Sequence, residues 1–89
     1  MAEKNHLNVV SLGLALGIAW AVGAFFLGIM AWLFDWGTAL VEIASSLYIG
    51  YKATFLGTII GTVWAFVDGF IGGVIIAWLY NKFQNLSLN

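Results

Sequence analysis

The sequence predicts an all-α integral membrane protein: an antiparallel transmembrane helical hairpin with a short interfacial or re-entrant connecting helix. Three observations predict it. Of 89 residues, 63% are hydrophobic and 8% charged, against roughly 45–50% and about 25% in ordinary soluble domains. Two apolar runs, 7–34 and 53–80, each exceed the about 20 helical residues that cross a hydrocarbon layer. A chain this short also has too little interior to hide so much apolar surface from water. Residues 1–89 therefore read as a single membrane domain.

The first run, Leu7 to Phe34, is interrupted only by Asn8 and Ser11 and follows Lys4 and His6. It is too long for the core of a signal peptide and reads as a retained transmembrane helix. Its surplus length predicts tilt or extension past the interface, and Trp32, Phe34 and Trp36 close it as interface aromatics. The second run, Ala53 to Tyr80, carries Asp68 as its one charge. Tyr48, Tyr51 and Phe55 with Lys52 are the expected anchors at one end, and Trp78, Tyr80 and Phe83 with Lys82 at the other. With no proline, neither helix carries a proline kink. The polar tail 81–89 is expected to fray.

Between the runs, 37–50 is apolar but too short to span. Wound as a helix it gathers Thr38, Glu42, Ser45 and Ser46 on one face, which suits an interfacial or re-entrant helix. The competing reading, a third full crossing, places the termini on opposite sides. With two crossings Lys4 and Lys82 share a side against Lys52 alone, so the positive-inside rule puts both termini in the cytoplasm.

Small residues recur every four positions along the second run: Ala53, Gly57, Gly61, Ala65, Gly69, Gly73 and Ala77. Such spacing lets a second backbone approach closely. A four-residue step advances roughly 40° round an ideal helix, so one straight partner cannot follow the whole stripe. Either the helices cross in the right-handed sense or successive parts of the stripe meet different neighbours in an assembly. The first run has matching sets in Gly13, Gly17 and Ala21, in Ala15, Ala19 and Gly23, and in Ala24 and Gly28. Two striped helices offer more packing surface than one hairpin uses, which predicts a homo-oligomer or a place in a larger membrane protein complex.

Asp68 lies within about 60° of Gly61, Ala65 and Gly72 round the helix, toward the packed side. An ionisable group at mid-membrane depth needs a partner, water or a proton. In a level hairpin Ala19 and Trp20 share its depth, and the Trp20 indole is the candidate hydrogen-bond donor. No lysine or arginine lies there. The expected states are a protonated acid tying helices together or a carboxylate facing a water-filled lumen.

Catalysis finds no footing. His6 is the single histidine, cysteine is absent, and Asp35, Glu42 and Asp68 fall at different depths, so neither an acid–base pair nor a metal site is expected. No cofactor is implied. Three basic and four acidic residues leave no basic face for nucleic acid.

The run YIGYKATFLGTIIGTVWAFVDGFIGGVIIAWLYNKF, Tyr48 to Phe83, resembles small two-span membrane proteins catalogued as bacteriophage holins, most densely over FVDGFIGGVIIAWLYNKF, Phe66 to Phe83. The opening LNVVSLGLALGIAW, Leu7 to Trp20, looks similar to that family's start. The resemblance implies a prokaryotic inner-membrane protein whose copies assemble and open lesions that release an endolysin. In outline the chain is also similar to the proton-translocating ring subunits of rotary ATPases, from which its long apolar connector sets it apart. Two functional classes are expected: a self-associating holin-like pore former or ion- or proton-conducting oligomer, and a non-catalytic accessory subunit of a larger membrane complex. Membrane lipid is a partner in both.

Overall fold

A computed structural model describes residues 6–88, with side chains up to 86. The fold is all-helical: α1 (Val9–Phe34), α2 (Thr38–Ala44) and α3 (Phe55–Leu88). Two of these helices are long and apolar enough to cross a membrane. The Asn8 side chain caps α1 by accepting the Ser11 N–H at 2.9 Å. At the other end Asp35 adopts a left-handed conformation (φ 53°) that a short polar side chain tolerates. Its N–H returns to the Ala31 carbonyl at 3.0 Å, and its carboxylate takes the Thr38 hydroxyl at 2.7 Å. Gly37, at φ 77°, then turns the chain into α2. Thr54 opens α3, its hydroxyl accepting the Gly57 N–H at 2.9 Å.

α1 and α3 run antiparallel in one register, with Gly13 against Gly73, Gly17 against Gly69 and Gly28 against Thr58. Contact at the glycines is backbone to backbone. A Cβ added to Gly69 would stand 2.6 Å from the Leu16 carbonyl oxygen, and one on Gly73 2.7 Å from that of Leu12. Beyond the glycines, Asn81 brackets the Leu7 peptide, accepting its N–H at 2.7 Å and donating to its carbonyl at 2.8 Å. His6 Nε2 lies 2.8 Å from Asn85 Oδ1. These bonds explain a departure from expectation: the described part of the polar tail, 81–88, continues α3 instead of fraying. The long dimension, 52 Å, exceeds the about 40–45 Å of a bilayer with its headgroups.

The stripe does meet successive neighbours, and all of them belong to the same chain. Gly57 packs on the Lys52 backbone, Gly61 on the Tyr51 ring, and Gly69 and Gly73 on α1. Ala65 and Ala77 are fully buried. The surplus of contact surface that argued for an oligomer is thus absent along the second-run stripe.

The connector folds back along the hairpin. α2 is 7 residues long, and among the described residues no third helix is long and apolar enough to cross a membrane. Val41 and Tyr51 are buried with Ala31, packed round by Ala24, Leu27 and Ala44. The Tyr51 hydroxyl donates to the Ala24 carbonyl at 2.6 Å. Ala24 lies ten residues back from the end of α1, or about 15 Å along its axis. Tyr51, expected as an interface anchor, is therefore core at 2% exposure, because Gly61 leaves room for its ring. Trp32, Trp36, Trp78 and Tyr80 are exposed, with Lys82 Nζ 5.2 Å from the Trp78 ring.

One buried hydroxyl is left over. Thr58 Oγ1 has no hydrogen-bond partner although the residue is fully buried against Gly28. Thr58→Val keeps the shape and removes the orphan, so a gain of about 1 kcal/mol is expected. It reads as a higher thermal midpoint in detergent; a lower one would mean that the hydroxyl is bonded.

Candidate functional site

Each of the three chain segments brings one side chain to the same place. α3 supplies Asp68, the connector supplies Tyr48 and α1 supplies Trp20. The Tyr48 hydroxyl donates to Asp68 Oδ2 at 2.6 Å and accepts the Trp20 indole N–H at 3.2 Å. The α1–α3 register sets Trp20 near Asp68 in depth, yet Tyr48 stands between them, so Trp20 reaches the acid through a phenol. Beside this relay the Tyr48 ring stacks on Trp64, with centroids 6.2 Å apart and planes 5° from parallel. Trp64 in turn donates its indole N–H to the Ile49 carbonyl at 2.9 Å.

These bonds answer a physical demand. Irregular backbone packed among apolar side chains needs partners for its polar groups. Asp68 lies thirteen residues into α3, about 20 Å from its start, and there the connector's tip meets a carboxylate and two indoles. Tyr48 and Tyr51 belong to the connector, not to either long helix. Both phenols act as donors here, Tyr48 to Asp68 and Tyr51 to the Ala24 carbonyl.

Asp68 is exposed on the flank of the hairpin, and among the described residues no second donor reaches its other oxygen. Three surface grooves converge on it. The largest, about 640 Å³, runs between α1 and the connector past Ala19, Gly23, Leu27 and Leu47. A second descends along Leu16, Gly72 and Ile76, and a third passes Trp64, Val67 and Ile71. Asp35 and Glu42 stand apart from this site, and no group of three potential metal ligands occurs among the described residues.

Tyr48 is the residue that sequence reasoning placed elsewhere, as an interfacial aromatic. A usable signal was present: a glycine-bearing apolar connector flanked by aromatic side chains that donate hydrogen bonds, Tyr48, Tyr51 and Trp64. Of the packing residues, Gly13 and Gly17 are buried on α3, and Ala21 is partly buried. Ala15, Ala19 and Gly23 face outward, and nothing stands within 4 Å of where a Gly23 Cβ would be. No protein-family model, curated protein or solved structure matches the chain.

Proposed function

We propose that this chain is a non-catalytic integral membrane protein whose copies associate round the Asp68 face to form a polar path across a prokaryotic inner membrane. The observation that carries this reading is the exposed carboxylate at mid-length of α3, one oxygen of which meets no donor among the described residues. An acid at the bilayer centre costs about 2.5–3.5 kcal/mol on insertion scales and turns to a protein or aqueous interior. Lining a shared lumen meets that requirement. The outward set Ala15, Ala19 and Gly23 on α1 allows a neighbouring helix to come close. Both long helices cross the bilayer in this reading. Their antiparallel pairing brings the termini to one side, which the lysine balance makes cytoplasmic. The holin resemblance supports the same class, a membrane permeabilised by assembled copies.

Native mass spectrometry after gentle extraction from the membrane tests the assembly. A discrete cluster of this chain alone is expected; a monomer, or a stoichiometric larger partner, overturns the reading in favour of an accessory subunit. Asp68→Asn retains an oxygen for Tyr48 but removes the charge. It is expected to leave the cluster intact while cation flux through reconstituted vesicles falls about tenfold or more.

A further inference from the structure

We propose that the groove beside Asp68 binds hydrophobic organic cations, molecules that carry an ammonium or phosphonium charge on an apolar body. The inference rests on the proposed membrane-spanning function only in setting the groove within the bilayer. Its volume, about 640 Å³, falls in the roughly 300–1,000 Å³ of small-molecule sites. The walls are aliphatic and aromatic, with Leu27 from α1, Leu47 from the connector and the Trp20 and Tyr48 rings in the lining with the acid. Gly23 leaves the wall on α1 open. The one charged group is Asp68, which holds the Tyr48 hydroxyl on Oδ2.

Charge complementarity selects the occupant. Among the described residues the basic side chains are Lys52 and Lys82, and neither lines this groove. Lys82 lies over Trp78, and Lys52 lines a separate groove with Thr38 and Glu42. Neither described lysine balances Asp68, a place that a cation from outside the groove can take. A carboxylate and a cation enter a low-dielectric site together at less cost than either alone, and aromatic faces attract the cation electrostatically. An inorganic ion fits poorly, since Ca²⁺ takes 6–8 oxygen ligands and this groove offers one carboxylate. A bulky organic cation is weakly hydrated, and its apolar body matches the aliphatic walls.

The test uses the full chain in lipid nanodiscs titrated with tetraphenylphosphonium, followed by tryptophan fluorescence, with tetraphenylborate as the shape-matched anion and empty discs as the partition control. Saturable phosphonium binding without borate binding is expected. Asp68→Asn should weaken phosphonium binding roughly tenfold or more. Gly23→Leu, which fills the groove from open space, should weaken it similarly while Asp68 is retained. Equal affinity for the two probes, or unchanged phosphonium affinity in either variant, overturns the site. Native mass spectrometry of the same discs separates the two readings: clusters that do not bind the cation sink this inference alone, and single chains that bind it sink the assembly alone.

Discussion

Gly69→Leu is expected to part α1 from α3 over the middle of the hairpin. A Cβ at that position meets the Leu16 carbonyl oxygen at 2.6 Å and the Gly17 Cα at 2.9 Å. Both are backbone atoms of a hydrogen-bonded helix, so neither swings aside as a side chain would. Overpacking of this kind costs about 1–3 kcal/mol and more where relaxation is blocked. Gly72→Leu is the matched control on the same helix, because nothing stands within 4 Å of its added Cβ. Spin labels at Val10 and Ile76, both exposed, report the separation of the helices by electron–electron dipolar distance. A broadened, longer distribution for the Gly69 variant beside an unchanged one for the Gly72 variant is the expected result. Equal distributions in the two would mean that the backbones do not touch here.

The second large effect is expected from Tyr48→Phe. The change removes one oxygen atom and with it both bonds of the relay, to Asp68 and from Trp20. A hydrogen bond to a charged group contributes about 1.5–3 kcal/mol, and each 1.4 kcal/mol is about tenfold in an equilibrium constant. Amide hydrogen exchange across the connector should therefore rise roughly tenfold to a hundredfold, while the interiors of α1 and α3 hold their protection. Asp68→Asn should raise it much less, since an amide oxygen still accepts the phenol. If Tyr48→Phe leaves connector exchange unchanged, the relay does not hold the loop.

Much of this arrangement was legible in the sequence, and the limits have physical causes. The two long helices follow from the lengths of the apolar runs, and the proximity of Trp20 to Asp68 in depth follows from setting those runs level. The use of the glycine stripe was legible in part. Its angular drift called for either a right-handed crossing or successive neighbours, but four-residue spacing carries no information on whether such neighbours belong to the same chain. Tyr51 and Lys52 supply them at Gly61 and Gly57. Tyr48 was legible least. Helical periodicity assigns a face to a residue, while in an irregular apolar loop the depth is set by backbone turns such as Gly50 at φ 95°. The continuation of α3 past Tyr80 was hidden for a related reason. Asn81 and Asn85 look like tail composition until Leu7 and His6 arrive from the other end of the chain.

The doubled-back connector also fixes an order of events during synthesis. Its tip is held by residues on both sides of it in the chain: Trp20 and Ala24 are made before it, Trp64 and Asp68 after it. While α3 is still in the ribosome, the Tyr48 phenol lacks its Asp68 acceptor and the Ile49 carbonyl its Trp64 donor, and water takes their place. Both bonds close when the second long helix packs on the first. A nascent chain stalled before Asp68 clears the exit tunnel would thus keep its loop open to proteases, and release of the finished chain would close it.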